Sequence, residues 1–193
     1  MRARLILLSL ALLLSACGDN VTDGVTSCEH AYWNGEMGIC VSPEWRVVDR
    51  SELDERGVSE EAIIAFQSER PYAGQFATVV VTREILSRTM TTPEYSAASI
   101  LSVSGLPEYE EIDRRETAVD GEDIVVHVFS AKPRPDALSE RFYQVSAVSQ
   151  NMGFTVTAAT PVSVDPELET QIIAMLGSLS FVPPDGEEGA AGE

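Results

Sequence analysis

The feature that most constrains the fold of this chain is a tight-turn signal between two long strand-like segments. Residues 110–119 and 123–131 flank Asp120-Gly121, a pair in which both residues tolerate the positive φ of a two-residue hairpin turn. In the second segment, large apolar side chains alternate onto both faces, which is typical of a largely buried strand. The pattern predicts an antiparallel β-hairpin.

Two other stretches also predict strands. Residues 141–150 and 154–160 flank Asn151-Met152-Gly153, which predicts a further hairpin. Residues 76–82 form a nearly continuous β-branched run, which is typical of a central strand covered on both faces.

Two segments in the first half of the chain carry helix-start signals. Ser59 can cap a short helix, because its hydroxyl can accept a backbone hydrogen bond and two glutamates follow it. Thr92 as cap and Pro93 at the first position predict a longer helix, which Gly105 would end. Its predicted apolar face consists of Tyr95, Ala97, Ala98, Ile100 and Leu101.

The last helix is the most clearly marked. Asp165 can cap it and Pro166 can occupy its first position. Apolar residues follow at helical spacing, namely Leu168, Ile172, Met175, Leu176 and Leu179. Pro183-Pro184 then stops regular structure, and residues 183–193 are predicted to form a disordered acidic tail.

The order of these elements predicts the fold class. A hairpin, a strand, a helix, antiparallel strands and a final helix favour an α+β fold, in which a single antiparallel sheet is flanked by helices. No repeat or domain-sized linker interrupts residues 28–182, so we expect one domain there.

The N-terminal segment predicts export. Arg2 and Arg4 precede an apolar run over residues 5–14, which is too short to span a bilayer and is typical of a secretory signal. Leu14-Ser15-Ala16-Cys17 resembles the bacterial lipobox, so residues 1–16 would be a signal peptide and Cys17 the lipidated first residue. The alternative is plain secretion with cleavage after Cys17.

The lipobox resemblance implies a bacterial lipoprotein whose Cys17 carries a diacylglyceryl group, usually with a further acyl chain. More than one chain is needed for stable anchoring to a membrane. The polar residues 17–27 are predicted to be a tether. Gly18 favours the outer membrane, facing the periplasm, over the inner membrane, whereas Asp19 weakens that inference.

The charge of the chain bounds its partners. The sequence has 31 acidic and 13 basic residues, for a net charge of −18. Cleavage of the predicted signal peptide would remove two of the basic residues and make the mature chain more acidic. Such a surface repels nucleic acid and anionic headgroups, so we expect neither as a partner.

The remaining cysteines, Cys28 and Cys40, form an even pair in an oxidising compartment and are predicted to make a disulfide. Asn34-Gly35 between them predicts a two-residue turn, which would leave the cysteines one position out of register. A bulge, for example at Gly38, would correct this. A redox or metal role is the alternative, although the spacing lacks the close CxxC pattern.

Several short motifs carry a resemblance to a known family. The stretch from Glu36-Met37-Gly38-Ile39 to Pro43-Glu44-Trp45-Arg46-Val47 resembles the opening of the PsbP-like fold, and residues 92–95, 106–109 and 179–181 lie where that fold has counterparts. The resemblance implies an α/β/α sandwich similar to DcrB-like and Mog-like proteins, most of which are assembly factors, adaptors or chaperones. The cystine hairpin, the Ser59 helix and the serine before Pro43 depart from the pattern and leave the subfamily open.

The residues offer little for catalysis. His30 and His127 are the two imidazole bases, and the sequence around each favours packing, in the core for His127 and at the surface for His30. No serine lies in a GxSxG elbow and no glycine loop resembles a P-loop. We therefore expect no catalytic residues, no cofactor and no enzyme activity.

Acidic residues cluster in two places, at Glu108, Glu110, Glu111 and Asp113 and at Asp120, Glu122 and Asp123. Calcium takes several oxygen ligands, so such clusters could bind it. The spacing matches no known calcium loop and favours a solvated face, so no metal ligand is assigned.

Aromatic residues give the candidate interaction surface. Trp45 lies in the family-like motif and is expected in the core, whereas Tyr32 and Trp33 flank the hairpin turn. Tyrosine and tryptophan are enriched in binding hot spots, so Tyr32 and Trp33 are the predicted surface, with a lid packed across the sheet as the alternative.

Together these features predict a membrane-anchored lipoprotein that acts as a non-catalytic protein-binding or accessory module in the bacterial envelope. Its expected partner is an envelope protein. The alternative is a ligand- or calcium-binding sensor that uses the acidic loops.

Overall fold

The computed structural model describes Cys28 and residues 30–184. The predicted signal peptide (1–16), the lipidation site Cys17, the tether (17–27) and nearly all of the predicted tail (183–193) lie outside the described residues.

The described residues contain a large antiparallel sheet, a small hairpin and three helices. The strands are β1 (Ala31–Trp33), β2 (Gly38–Cys40), β3 (Trp45–Val48), β4 (Ala62–Tyr72), β5 (Gln75–Ile85), β6 (Glu110–Val119), β7 (Glu122–Ala131), β8 (Glu140–Ser149) and β9 (Met152–Pro161). The helices are α1 (Arg50–Glu55), α2 (Thr92–Val103) and α3 (Pro166–Gly177).

Seven strands form the large sheet in the order β3-β4-β5-β9-β8-β7-β6, and every neighbouring pair is antiparallel. This confirms the α+β class and the antiparallel sheet. The expectation of a single sheet is wrong, because β1 and β2 form a separate two-stranded sheet. The flanking helices are few.

Two-residue turns connect the long strands. Asp120 and Gly121 join β6 to β7 with φ of 49° and 83°, as the sequence predicts. The predicted hairpin between β8 and β9 is confirmed, but its turn is the two residues Gln150-Asn151, with φ of 49° and 64°, and not Asn151-Met152-Gly153. Gly153 belongs to β9, where a Cβ would overlap the ring of Tyr95.

The helix starts differ from the predictions in two of three cases. α1 is capped by Asp49, whose carboxylate accepts from the backbone N–H of Glu52 at 3.0 Å. The predicted Ser59 helix is wrong, because the carbonyl of Ser59 accepts from Ala62 at 3.0 Å in a turn that leads into β4. α2 is capped by Thr91, one residue before the predicted cap.

The capping box of α2 explains that shift. Thr91 accepts from the backbone N–H of Glu94, and the Glu94 carboxylate accepts from the backbone N–H of Thr91 at 2.8 Å. α3 begins as predicted, because Asp165 accepts from the backbone N–H of Glu167 at 2.9 Å and Pro166 occupies the first turn.

One side of the sheet, here called the α3 face, is covered by α3 and by the β1–β2 hairpin. Because strand side chains alternate, each strand places an apolar row on this face. The largest buried cluster lies here, and its helical and hairpin members are Met37, Ile39, Leu168, Ile172, Met175 and Leu176. Trp45 joins the cluster and its indole N–H donates to Gln171 at 2.9 Å, which confirms it as a core residue.

The opposite side, here called the α2 face, carries two smaller clusters. α1 packs on β4 around Val48, Leu53 and Ala65. α2 packs on β7 and β8, next to a cluster centred on Phe129 and Phe142. Among the described residues, no helix covers the sheet surface between α1 and α2. None of the described helices is long and apolar enough to cross a membrane.

Candidate functional site

The β1–β2 hairpin positions the two aromatic residues predicted as an interaction surface. Its register pairs Trp33 with Gly38, so the loop has four residues and the predicted two-residue Asn34-Gly35 turn is wrong. Asn34 closes this loop by accepting from the backbone N–H groups of Glu36 and Met37 at 3.0 and 2.9 Å. The longer loop lets the Met37 side chain enter the core, where it is fully buried.

A disulfide joins Cys28 and Cys40 at the base of the hairpin, with Cα atoms 5.5 Å apart. Cys40 pairs with Ala31 in the ladder, so Cys28 reaches it from three residues outside β1. Beyond the Ala31–Cys40 pair, the backbone N–H of Val41 donates to the carbonyl of His30 at 2.9 Å, so backbone pairing between the two chain segments extends one position further. The predicted bulge at Gly38 is wrong, because the ladder runs regularly from the Ala31–Cys40 pair to the Trp33–Gly38 pair.

Tyr32 and Trp33 lie on opposite sides of β1. The ring of Tyr32 meets Phe66 of β4 edge-on, with centroids 5.5 Å apart. This contact packs the hairpin against the sheet, which is the arrangement that the lid alternative predicts. Trp33 lies over Gly38 and lines an open pocket of about 260 Å³ at the end of the sheet. The interaction surface stays a prediction, and of its two residues Trp33 is the one that lines this pocket.

A larger concavity, here called the α2 groove, runs between α2 and the outer strands of the α2 face. It has a volume of about 450 Å³. Its apolar lining consists of Pro93, Ala97, Ile100, Leu101, Ile124 and Val125. Contiguous apolar concavities of this size are where proteins bind ligands or partners.

The groove exists because α2 is rotated relative to the predicted apolar face. Its buried residues are Thr92, Tyr95 and Ser96, whereas Leu101 is 74% exposed. Tyr95 sets this rotation, since its hydroxyl donates to Glu84 at 2.8 Å and lies 3.2 Å from the hydroxyl of Thr155. The predicted apolar face is therefore wrong for Ala97, Ala98 and Leu101, which are exposed, and confirmed for Tyr95, which is buried.

The charges at the groove are acidic on balance. Arg114 at one side is paired with Glu111 at 2.7 Å. Asp123 lines both the groove and an adjoining recess, which Glu122 also lines. Within the described part of the chain, neither of these two carboxylates forms an ion pair.

The first predicted acidic cluster is dispersed by the strand geometry. Glu108 precedes β6, and the register shift between Glu111 and Asp113 places those two side chains on opposite faces of the strand. Its carboxylates therefore pair with separate cations, Glu108 with Lys132 at 2.6 Å and Asp113 with Arg115 at 2.8 Å. The hydrogen bond from Arg115 holds the pKa of Asp113 below its ordinary value.

The second predicted acidic cluster is also not assembled as a ligand set. Asp120 accepts from the Ser180 hydroxyl and from the backbone N–H of Phe181, both at 2.7 Å. Over Cys28 and residues 30–184, no group of three or more His, Cys, Asp or Glu side chains is arranged to hold a metal ion.

His127 is a buried core residue, as predicted. Its Nε2 lies 3.0 Å from the Tyr109 hydroxyl and 3.5 Å from the Glu111 carboxylate, and its ring stacks on Phe129 at 4.8 Å. Burial lowers the pKa of His127, and the nearby Glu111 only partly opposes this. A fully buried imidazole that stacks on Phe129 and contacts Tyr109 is part of the core packing. His30 lies at the surface, again as predicted.

Solved structures with the same fold place this geometry among known proteins. The solution structure of cyanobacterial PsbP from Synechocystis is 15% identical, with a TM-score of 0.54, and the match covers 88% of this chain and 99% of that one. LpqN, involved in cell envelope biogenesis of Mycobacterium tuberculosis, is 12% identical with a TM-score of 0.51, covering 76% and 83%. A variant of Mog1 is 10% identical with a TM-score of 0.51, covering 79% and 95%.

These likenesses concern the fold. No protein-family model matches the chain, and no curated relative matches it by sequence.

Proposed function

We propose that this chain, which has the PsbP-like fold, is a lipid-anchored accessory module of the bacterial envelope that binds another protein through the α2 groove. The observation that carries the proposal is the groove itself, an apolar concavity beside the exposed Leu101 side chain. A residue that is only packing would turn inward, whereas Leu101 is held outward by the polar attachment of Tyr95.

The sequence supports the envelope location and the anchor. Leu14-Ser15-Ala16-Cys17 resembles a lipobox behind a short positive and apolar segment, and acyl chains on Cys17 would fix the chain to a membrane. The Cys28–Cys40 disulfide fits an oxidising compartment. Gly18 favours the outer membrane, facing the periplasm. The structurally similar LpqN is itself described as taking part in cell envelope biogenesis.

The geometry leaves the groove accessible in an anchored molecule. The tether joins the domain at Cys28, in the hairpin that covers the α3 face. The α2 groove lies on the other side of the sheet. A short polar tether of 11 residues would span about 17 Å, so the partner is itself close to the membrane.

The same geometry supports a non-catalytic role. The buried His127 is engaged with Tyr109, and Glu111 and Asp113 of β6 are paired with separate arginines. The calcium-sensing alternative needs carboxylates that converge, and among the described residues no three of them are arranged to hold a metal ion.

Site-specific photo-crosslinking in intact cells tests the proposal. A photoreactive residue at Leu101 should give one recurrent adduct with an envelope protein. The matched control is Leu138, a leucine with 72% exposure in the β7–β8 connection, which should give none. With the photoreactive residue moved to Ala97, which also lines the groove, Leu101→Glu should abolish capture while leaving the melting temperature unchanged. Membrane fractionation of the same cells should find the unaltered chain with the membranes and the Cys17→Ser chain released.

Two results would count against the proposal. Equal adducts at Leu101 and Leu138 would mean that the groove has no partner. Capture that survives Leu101→Glu but is lost in Trp33→Ala would move the interaction surface to the hairpin.

A further inference from the structure

The pocket beside Trp33 belongs to a larger exposed patch at one end of the α3 face. Met152 and Phe181 line that pocket together with Trp33. Ile85 is 79% exposed and pairs with Met152 in the β5–β9 ladder, so the two side chains lie next to each other on the same face. Val182, which is 62% exposed, follows Phe181 in the chain. These residues are here called the end patch: Trp33, Ile85, Met152, Phe181 and Val182.

The structure holds the aromatic side chains of the end patch in place. Two backbone hydrogen bonds, of 2.7 and 3.0 Å, join Gly38 of the hairpin to Ser180. The ring of the next residue, Phe181, packs on the ring of Phe154, with centroids 5.0 Å apart. Trp33 lies over Gly38, where an added Cβ would be 3.0 Å from the indole. The aromatic part of the end patch is therefore formed before anything binds to it.

The charge at the end patch differs from the charge of the chain. Among the described residues that line the pocket, Glu36 alone is charged, and it is paired with Arg83. The chain as a whole has a net charge of −18. An apolar patch with compensated charge on an otherwise acidic molecule favours an apolar contact over one made through opposite charges.

The end patch also lies close to the point where the tether enters the domain. Cys28 is five residues from Trp33, so at most about 18 Å of chain separates the two. The tether of residues 17–27 would span about 17 Å on average. With Cys17 acylated, as proposed above, the bilayer surface is within reach of the end patch.

We propose that the end patch inserts into the headgroup region of the bilayer that holds Cys17, a surface of mainly zwitterionic phospholipid. The inference rests on the lipid anchor of the proposed function and is independent of the partner in the α2 groove. Tryptophan is enriched at membrane–water interfaces, because its ring is apolar and its N–H is polar. Anionic headgroups would repel the acidic chain, which is why the phospholipid is zwitterionic.

The anchor and the end patch act together. A few apolar side chains bind a bilayer weakly by themselves, and the anchor supplies the high local concentration at which they stay in contact. Two points of attachment also fix the orientation of the domain. The α2 groove lies on the opposite face of the sheet and stays open to a partner.

Quenching of tryptophan fluorescence by brominated lipid tests the proposal. The chain has two tryptophans, Trp33 and the buried Trp45. The purified lipoprotein is placed in phosphatidylcholine vesicles whose acyl chains carry bromine close to the headgroups. The unaltered chain should lose the emission of Trp33, whereas Trp33→Phe, in which only Trp45 emits, should be quenched much less. If Trp33 stays unquenched in the anchored chain, the end patch faces a protein or a second copy and the proposal is overturned.

Matched variants locate the contact. Ile85→Glu and Val182→Glu should each remove most of the quenching of Trp33, because a carboxylate resists transfer into a bilayer. Leu138→Glu is the control and should leave quenching unchanged, since Leu138 is 72% exposed but lies in the β7–β8 connection, at the opposite end of the sheet. If Leu138→Glu removes as much quenching as Ile85→Glu, added charge acts on the chain as a whole and the site is wrong. Leu101→Glu should also leave quenching unchanged, which separates the end patch from the α2 groove.

Failure of the anchor can be told apart from failure of the end patch. Flotation with the vesicles reports the anchor, and quenching reports the end patch. If the purified chain carries no acyl group, the proposed anchor is wrong, and a maleimide lipid coupled to Cys17 takes its place. Cys17 is the one site for this coupling, because the other two cysteines form the disulfide. Quenching of Trp33 in the coupled chain supports the end patch, and its absence overturns it.

Discussion

The two faces of the sheet are built from the same strands and differ in almost every other respect. On the α3 face, the hairpin, the sheet and α3 share one continuous apolar cluster, in which Leu168 and Ile172 are fully buried. On the α2 face, the apolar contacts are divided into two small clusters, and buried polar residues such as His127 and Gln144 lie beside them.

The difference between the two faces can be seen within single strands. In β8, Val145 faces α3, whereas Gln144 and Ser146 face α2; in β9, Val156 and Thr155 divide in the same way. Because side chains alternate with a period of two, one strand can supply a core on one side and a polar surface on the other. A sheet can therefore concentrate stability on one face and leave the other free to form concavities.

The two long helices follow the same division. α3 is attached to the sheet by four buried apolar side chains, which form part of the main core. α2 is attached by Thr92, Tyr95 and Ser96, of which Thr92 accepts from the backbone N–H of Val148 at 3.2 Å. Polar attachment fixes the position of α2 while leaving apolar side chains exposed along the α2 groove.

The largest expected effect tests whether stability belongs to the α3 face. Leu168→Ala removes a fully buried side chain and should lower the free energy of unfolding by about 2–5 kcal/mol. Leu101→Ala on α2, where the leucine is mostly exposed, should change it by no more than about 0.5 kcal/mol. Urea unfolding with an unchanged m value measures both. Equal losses would remove the distinction between the faces.

A smaller effect tests the attachment of α2. In Gly153→Ala the added Cβ overlaps the Tyr95 ring, so unfolding should become easier by about 1–3 kcal/mol. Gly105→Ala is the matched control, because the nearest atom to its Cβ is 3.8 Å away, an ordinary contact. In a Tyr95→Ala background, adding Gly153→Ala should cost less than about 0.5 kcal/mol. An undiminished cost in that background would show that Tyr95 does not hold the helix.

Local sequence signals predict two elements well, the β6–β7 hairpin and the helix that covers the α3 face. The hairpin at Asp120-Gly121 and the helix that starts at Asp165-Pro166 are recognisable, because turn and cap residues act within a few positions of the chain. The resemblance to the PsbP-like fold also rests on residues from that core, such as Trp45.

The same signals do not predict the α2 side. Ala97 and Leu101 fit an apolar helical face, yet the rotation of α2 is set by Tyr95 meeting Thr155, a contact 60 residues away in sequence. β4 is also missed, since its turn is the unremarkable pair Ala73-Gly74, with φ of 49° and 80°. The α2 groove depends on such distant contacts, which no local pattern contains.

The candidate site illustrates the same limit. Tyr32 and Trp33 are recognisable from composition, because aromatic residues beside a turn often take part in binding. Their surroundings are not recognisable, and Tyr32 proves to pack on Phe66 of β4. The four-residue loop that buries Met37 is likewise determined by the core below it.

The smallest effect concerns the buried polar residues of the α2 face, and it makes that face responsive to pH. Burial lowers the pKa of His127 from its ordinary 6.5, while Glu111 opposes and Arg114 reinforces this. The unfolded chain then takes up a proton first as the pH falls, so the contribution of His127 is complete above about pH 6.5 and is lost below it.

The loss can reach about 1.4 kcal/mol per pH unit for one such group. Urea unfolding at about pH 7.5 and about pH 5.5 measures it. His127→Phe keeps the stacking on Phe129 and should lose less stability between the two pH values than the unaltered chain. His30→Phe, at the surface, should behave like the unaltered chain. If His127→Phe and the unaltered chain lose stability equally, His127 accepts its proton in the folded state, and the α2 face is no more sensitive to acid than the apolar α3 face.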